Sequence, residues 1–359
     1  MSQNAAILRI LDANFNRARE ALRVMEEHAR FVLDDTSLST ALKEMRHRLA
    51  GSAPRETAEH LLGCRDVAGD VGREVSAPAE LVRADAGHVA VAAGKRLSEA
   101  LRAIEEYAKP LSPVWAAVIK QLRYDGYEIE KRLVVTTQAV ARLGRVRLYV
   151  IITESLCRGD WFATATAALE GGADALQLRE KSLPDGELLV RARRLVSLCR
   201  ERDALLIVND RPDIAALGHA DGVHVGQDDL SVVDARRVLQ PGALVGVSTH
   251  NLAQAIAAVK QSPDYLAVGP IFSSPTKPQG HIAGPGALDA IRRLTGLPLV
   301  AIGGITLANL GEVLAVAPAC VCLCQAVVAA PDVREAATAF RRVLNEARSP
   351  ILPSGTHAE

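Results

Sequence analysis

The chain has 359 residues, of which 49% are hydrophobic and 23% are charged. A chain of this length is longer than one typical domain, and its apolar content is enough for large buried cores. A disordered or fibrous protein is therefore excluded, and two domains are expected. Lysine plus arginine equals aspartate plus glutamate, at 42 each, so no net charge favours nucleic acid or an anionic membrane as a partner. Anionic ligands must therefore be bound by local basic clusters.

The sequence contains no recognisable targeting or membrane segment. The first residues lack a basic run followed by an apolar stretch, and no apolar run approaches the roughly 20 residues that a membrane helix needs. We therefore expect a cytoplasmic protein. The sequence leaves homo-oligomerisation open.

The chain up to about residue 143 has helical periodicity. Segments 14–33 and 94–109 both place apolar residues at positions i, i+3, i+4 and i+7. They also resemble each other, since EALRVMEEHAR at 20–30 is matched by EALRAIEEYAK at 99–109. The repeat predicts a duplicated helical hairpin in an all-α domain, residues 1–128, followed by a linking helix, residues 129–146.

From residue 147 the pattern changes to short β-rich runs separated by helical stretches. Eight runs are predicted as strands, at residues 148–153, 175–179, 205–209, 222–225, 244–247, 265–269, 297–302 and 320–323. Eight strands alternating with helices predict an α/β fold, a (β/α)8 TIM barrel over residues 147–345, rather than a doubly wound sheet. Residues 346–359 are expected to form a loose tail.

The predicted second strand leads into three alternating polar residues. Active sites of such barrels are built from the loops that follow the strands. Gln177, Arg179 and Lys181 share one face, so an amide, a guanidinium and an ammonium can converge on one anion. The alternative is a charged loop that only meets solvent.

The third and fourth predicted strands both lead into aspartates. Asp210 follows the third strand, and Asp229 lies just beyond the fourth. Two carboxylates on neighbouring strand ends can hold one octahedral Mg²⁺ and leave coordination positions for water and phosphate oxygens. The alternative for Asp228 or Asp229 is a helix N-cap.

The later loops carry small, hydroxyl and basic residues. Ser248 follows the fifth strand, and the sequence SSPTK at 273–277 follows the sixth. Hydroxyls and backbone amides followed by Lys277 suit a loop that closes on phosphate. Gly303 and Gly304 after the seventh strand let backbone amides approach a phosphate where barrels commonly hold one.

Six motifs together resemble the thiamine-phosphate synthase (thiamine-phosphate pyrophosphorylase) family over residues 146–345. They are QLREK at 177–181, VND at 208–210, DGVHVGQ at 221–227, GVSTH at 246–250, GPIF at 269–272 and IGGI at 302–305. The resemblance implies a Mg²⁺-dependent transferase. It would join 4-amino-2-methyl-5-(diphosphooxymethyl)pyrimidine to thiazole phosphate and release pyrophosphate, with cations stabilising the leaving group.

The resemblance also assigns site residues. Substrate binding is implied for Gln177, Leu178, Arg179, Glu180, Lys181, Asn209, Ser248, Ser274, Pro275, Thr276, Lys277 and Gly304. Lys181, Ser248 and Lys277 are the expected catalytic residues, and Asp210 and Asp229 the expected Mg²⁺ ligands.

Two loops depart from the family pattern. Ser274 stands where the family often has threonine, which keeps the hydroxyl. Residues 319–327 replace the usual Asp-Gly-Val pattern and its serine loop, so Gln325 or a backbone amide must supply the eighth loop's phosphate contact.

The N-terminal part has a separate resemblance. Residues 12–23, 64–67 and 70–72 resemble a helical domain that occurs alone or fused to this synthase and is associated with hydroxymethylpyrimidine-phosphate kinase activity. The sequence contains no P-loop. A non-catalytic helical dimerisation or docking module is therefore the alternative, in which Arg17, Arg23, Glu26 and Glu27 form salt bridges on a solvated helix face.

For the barrel, the alternative is a related isomerase similar to thiazole tautomerase, which lacks the pyrophosphate and magnesium residues. The presence of Arg179, Lys181, Asp210 and Asp229 counts against it.

Overall fold

The computed structural model describes residues 3–66, 69, 82–240, 242–274, 282–316, 318 and 320–347. The chain divides into two compact units, Met1–Gln138 with Arg293–Gly296, and Ala139–Arg292 with Leu297–Glu359. None of the helices in the described ranges combines the length and apolar character that a membrane crossing requires.

The described part of the N-terminal unit is helical, as the sequence predicts. Its α-helices are α1 (Gln3–Phe31), α2 (Thr36–Ala50), α3 (Arg55–Leu61), α4 (Ala86–Ala108) and α5 (Pro113–Leu143). Helices α1 and α4 pack against each other and bury small and apolar side chains such as Ala18 and Leu97. Helix α5 continues to Leu143, so residue 128, the predicted domain end, lies inside a helix.

The predicted duplication is present as two helical pairs with the same buried ion pair. Glu26 of α1 accepts a hydrogen bond from Arg46 of α2 at 3.1 Å, and Glu105 of α4 accepts one from Arg123 of α5 at 2.7 Å. Glu26 and Glu105 are 3% and 4% exposed. A charge that is buried this deeply requires its partner, because an unpaired one is strongly destabilising. The two helical pairs thus share a glutamate–arginine contact at the matching glutamates of the two segments, which fits a duplicated hairpin.

Of Glu26 and Glu27, only Glu27 lies on a solvated helix face, as the alternative interpretation of the N-terminal unit expects. Glu27 pairs with Arg23 at 2.9 Å, and both side chains are about half exposed. Glu26 also lies 4.0 Å from Arg23, as the predicted i,i+3 pair requires, but it is buried and pairs with Arg46 of α2, so the solvated part of that interpretation is wrong for Glu26.

The second unit is a closed parallel barrel, which confirms the predicted fold class. Its strands are β1 (Leu148–Ile152), β2 (Ala175–Leu178), β3 (Leu205–Asn209), β4 (Gly222–Val225), β5 (Leu244–Thr249), β6 (Tyr265–Val268), β7 (Leu299–Ile302) and β8 (Cys320–Leu323). Each strand pairs with the next, and β8 pairs with β1.

Helices follow the strands around the barrel. They are α6 (Trp161–Glu170), α7 (Asp185–Glu201), α8 (Pro212–Gly218), α9 (Val232–Val238), α10 (Leu252–Val259), α11 (Gly284–Leu294), α12 (Leu310–Leu314), α13 (Gln325–Val328) and α14 (Val333–Glu346). Inward-facing side chains such as Ala175, Leu244, Tyr265 and Cys320 fill the amino-terminal end of the barrel. This packed floor leaves the carboxyl ends of the strands for ligands.

Three aspartates at the amino-terminal end tie neighbouring strands together. Asp174, Asp221 and Asp264 precede the even-numbered strands β2, β4 and β6, and each accepts a backbone N–H from the strand before. Asp264 accepts from Val245 at 2.7 Å and from the Arg236 guanidinium at 2.8 Å. These charge-assisted hydrogen bonds lie at the opposite end of the barrel from the carboxyl ends of the strands. They therefore contribute to stability rather than to ligand binding.

We expect Asp264→Asn to lower the free energy of unfolding by about 1.5–3 kcal/mol, because hydrogen bonds to a charged group contribute about that much. Urea-induced unfolding followed by circular dichroism measures the change. Asp203→Asn is the control, since Asp203 is exposed at this end of the barrel and forms only a long 3.5 Å pair with Arg145. Equal stability of the two variants would contradict a structural role for Asp264.

Candidate active site

A cavity of about 790 Å³ opens at the carboxyl ends of the strands. Every strand, or the loop directly after it, contributes to the lining. Polar groups stand out among apolar walls: Gln177, Arg179, Asn209, His224, Ser248, His250, Ser274 and Gln325 all line it. A concave, mostly apolar space with a few convergent polar groups is typical of small-molecule sites.

The QLREK segment divides between two faces. Gln177 and Arg179 line the cavity, as the two-residue period of a strand requires. Leu178 is 1% exposed and packs on the other face, so it makes no side-chain contact with the cavity. Glu180 accepts a hydrogen bond from the backbone of Glu154 at 2.7 Å, which directs it toward the loop after β1.

The two predicted metal ligands lie together with a lysine. The Asp210 and Asp229 carboxyl groups lie beside each other, and the Lys181 ammonium donates to the Asp210 carboxylate. The pKa of Asp229 is raised, first because its partly covered position disfavours the charge and then because Asp210 lies beside it. Asp210 has a φ of 62°, a left-handed conformation that aspartate tolerates better than most residues.

This donor set fits a magnesium ion. Two carboxylates close enough to share a proton offer the hard oxygen ligands that Mg²⁺ prefers, and a cation between them would remove their repulsion. The Asp229 carboxylate is held toward the pair by the backbone N–H of Gly226 at 2.7 Å. Phosphate oxygens and water would complete the coordination.

The end of β5 presents a hydroxyl, and the loop after β7 makes a close backbone approach. Ser248 lines the cavity, and Gln227 donates to its carbonyl. Gly304 has a φ of 67°, and a Cβ there would lie 2.5 Å from the carbonyl oxygens of Phe272 and Ser273. Only glycine fits this position, which brings the loops after β6 and β7 together.

The sixth and eighth loops are described in part. Ser274 lines the cavity, whereas the predicted Pro275, Thr276 and Lys277 lie outside the described residues. After β8, Gln325 begins α13 and lines the cavity with Ala326. Gln325 therefore occupies the place that the sequence analysis required for a substitute phosphate contact.

Three buried polar residues that the sequence analysis missed also belong to the cavity region. Tyr149 and His224 line the cavity, and Tyr265 lies beside them, stacked on His224 with ring centroids 5.6 Å apart. Burial lowers the pKa of His224 to about 4, so its ring is neutral at pH 7. Strand alternation could have identified them, because each is a polar residue at a strand position whose side chain points into the barrel.

The two N-terminal segments that resemble the kinase-associated domain contact each other. Arg65 donates twice to Asp12, at 2.7 and 2.8 Å, and Asn16 donates to the Asp12 backbone at 3.0 Å. Arg9 donates to the carbonyl of Asp66 at 2.8 Å. Residues 67 and 70–72 of the second segment lie outside the described residues.

Comparison with known proteins identifies families for both parts of the chain. Residues 148–327 match the model of the family described as thiamine monophosphate synthase, and residues 9–132 match that of the ThiD2 family. A thiamine-phosphate synthase of Rhodopirellula baltica is 41% identical over 325 residues, 87% of this chain and 86% of the relative. One of a Synechocystis species is 40% identical over 309 residues, 86% of this chain and 88% of the relative.

A solved structure supports the same assignment for the barrel. Thiamine phosphate pyrophosphorylase from Pyrococcus furiosus aligns with a TM-score of 0.54 at 35% identity, and the alignment covers 58% of this chain and 99% of that chain. The curated relatives span both parts of this chain, whereas the solved structure matches the barrel's share of it. The chain belongs to the thiamine-phosphate synthase family.

Proposed function

We propose that the barrel condenses 4-amino-2-methyl-5-(diphosphooxymethyl)pyrimidine with thiazole phosphate to give thiamine phosphate and pyrophosphate. The observation that carries this proposal is the cluster of Lys181, Asp210 and Asp229 on the loops after β2, β3 and β4. Arg179, which alternation places on the same face as Lys181, supplies a cation in the lining of the cavity itself. Family membership supports the same reaction.

We propose that the two substrates occupy different sides of the cavity. The diphosphate would lie against Arg179 and Lys181, on the side of β2 to β4. The thiazole phosphate would lie on the side of β6 to β8, where Ser274, Gly304 and Gln325 line the cavity. Asn209 on β3 and Ser248 on β5 line the same cavity and would contact the pyrimidine.

The proposed chemistry breaks one bond and forms one. The C–O bond between the pyrimidine methylene and the diphosphate breaks, and the thiazole nitrogen supplies the electron pair for the new C–N bond. Bound Mg²⁺, held by Asp210 and Asp229, would neutralise the diphosphate as it leaves. Lys181 and Arg179 would donate to the departing oxygens, a preorganised electrostatic stabilisation that needs no nucleophilic side chain. Lys277 is proposed to donate to the same departing oxygens.

The test is turnover of the full chain with both substrates. We expect thiamine phosphate and pyrophosphate in equal amounts, loss of turnover when EDTA removes divalent metal, and recovery when Mg²⁺ is added in excess. Rearrangement of a thiazole carboxylate without pyrophosphate release would instead favour the isomerase. Full turnover in EDTA would contradict the metal site.

For the N-terminal unit we propose the pyrimidine-phosphate kinase that its resemblance implies, supported by the ThiD2 family match and by the contact between Asp12 and Arg65. A full-length Lys181→Ala variant, in which the barrel no longer consumes the diphosphate, should form pyrimidine diphosphate from the monophosphate and ATP. If none forms above background, the unit is a non-catalytic helical module.

We retain three further proposals from the sequence. We propose that the functional domain boundaries lie at residues 128 and 146. We also propose that the protein is cytoplasmic and that its partners are small molecules. Homo-oligomerisation is left open, and light scattering of the purified chain would measure it.

A further inference from the structure

A continuous path of hydrogen bonds crosses the barrel beneath the cavity and joins Gln177 to Ser248. Gln177 Nε2 donates to the Tyr149 hydroxyl at 2.8 Å, and the Tyr149 and Tyr265 hydroxyls lie 3.4 Å apart. Tyr265 contacts His224 Nδ1 at 3.1 Å, and His224 Nε2 contacts Ser248 Oγ at 2.9 Å. From Gln177 to Ser248, the residues of the path lie on strands β2, β1, β6, β4 and β5 in that order.

The interior members of this path are held without freedom to turn. Tyr149 and Tyr265 are 3% and 1% exposed, and His224 is 7% exposed. Gly246 makes room for the Tyr265 ring, since a Cβ at Gly246 would lie 2.0 Å from the ring. Buried hydrogen bonds in such a chain polarise one another, so the donor and acceptor roles along the path depend on each other.

The amide at one end of the path favours one direction for its hydrogen bonds. An amide nitrogen can only donate, so the Tyr149 hydroxyl accepts from Gln177, which leaves its own hydrogen available for the Tyr265 hydroxyl. Tyr265 then donates to Nδ1 of His224, which leaves the ring proton of a neutral histidine on Nε2. That proton points at Ser248, whose hydroxyl hydrogen is left for a ligand.

We propose that Tyr149, Tyr265 and His224 are positioning residues that fix the hydrogen-bonding polarity of the pyrimidine pocket. Gln177 then presents its carbonyl oxygen as an acceptor, and Ser248 presents its hydroxyl as a donor. An aminopyrimidine matches this pair, because its exocyclic amine donates while the adjacent ring nitrogen accepts. An oxopyrimidine, with a carbonyl next to a ring N–H, has the reverse pattern.

This inference rests on the proposed function and adds a prediction about selectivity. A site built to pair with specific polar groups rejects a mismatched ligand strongly, because buried groups lose their partners. The wild-type chain should therefore prefer the aminopyrimidine diphosphate to its oxo analogue by about 10³-fold or more in kcat/KM. A role confined to stability would leave this ratio unchanged in variants that fold.

The variants Tyr265→Phe and Tyr149→Phe remove one hydroxyl each and keep the ring. We expect each to lower the amino-to-oxo selectivity ratio at least tenfold, to raise KM for the aminopyrimidine diphosphate, and to leave KM for thiazole phosphate unchanged. Tyr124→Phe is the matched control, since Tyr124 is 51% exposed in the N-terminal unit. An unchanged ratio in both barrel variants would overturn the inference, even with wild-type turnover intact.

A second measurement is made on the wild-type chain. Nitrogen-15 NMR of the histidine-labelled wild-type chain reports which ring nitrogen of His224 carries the proton, with His224→Gln identifying its signal. Protonation at Nε2 is expected, whereas protonation at Nδ1 would mean the reverse direction and would overturn the assigned polarity. Failure of wild type to form thiamine phosphate, by contrast, would remove the proposed function itself and this inference with it.

Discussion

Asp210→Asn should lower kcat/KM about 10³-fold or more while the chain stays folded. The substitution keeps the shape of the side chain but removes one of the two carboxylates and the charge that Lys181 contacts. Losing one electrostatic contact to a transition state typically costs about 10²–10³-fold, and loss of the metal should add to this. Steady-state kinetics, in which each substrate is varied while the other is saturating, measures the effect.

Strand β3 supplies the matched control for this variant. Asp203 lies just before β3 and Asp210 just after it, and both have a left-handed backbone with φ values of 52° and 62°. Asparagine tolerates that conformation, so neither substitution adds backbone strain. Asp203→Asn should keep wild-type kinetics. Comparable activity in the two variants would remove Asp210 from the site.

Lys181→Ala should lower kcat about 10²–10³-fold, because the ammonium is the charge placed nearest the proposed leaving group. The effect should fall on kcat more than on KM for thiazole phosphate, since Lys181 lies on the loop after β2 and the proposed thiazole side is that of β6 to β8. Single-turnover measurement of pyrophosphate release tests this directly.

The control for Lys181 is an exposed lysine at the other end of the barrel. Lys260 caps the carboxyl end of α10, which leads back to the start of β6. Lys260→Ala should leave turnover unchanged. Near-normal turnover in Lys181→Ala as well as Asp210→Asn would refute the proposed diphosphate site.

The barrel was predictable because its signals are local. Each strand is a short apolar run of four to six residues, bounded by turn residues and followed by helical periodicity. The rule that ligands bind at the carboxyl ends then selects Arg179 and Asp210 from many charged residues. Several strand ends shifted by one or two residues from the prediction, as at β7, because hydrogen bonding rather than composition sets them.

The site was predictable where alternation along one strand, or the adjacency of consecutive strand ends, carries the information. Alternation along β2 separates Gln177 and Arg179 from Leu178 and Glu180, although the family motif includes all four. The hydrogen bonds among Tyr149, His224 and Tyr265 span 116 residues of sequence, so only the closed register of the barrel brings them together.

The N-terminal unit illustrates the same limit. The repeat predicted two hairpins, because helical periodicity is visible within each segment. It did not predict that Glu26 is buried, since Arg46, the partner that allows the burial, comes from the next helix.

The most direct test of the central claim is metal binding by the pair Asp210 and Asp229. Electron paramagnetic resonance of Mn²⁺, used as a substitute for Mg²⁺, counts bound ions in the presence of pyrophosphate. The account predicts one tightly bound ion per chain in wild type and Asp203→Asn, and loss of that ion in Asp210→Asn and Asp229→Asn. Equal binding by all four proteins would contradict it.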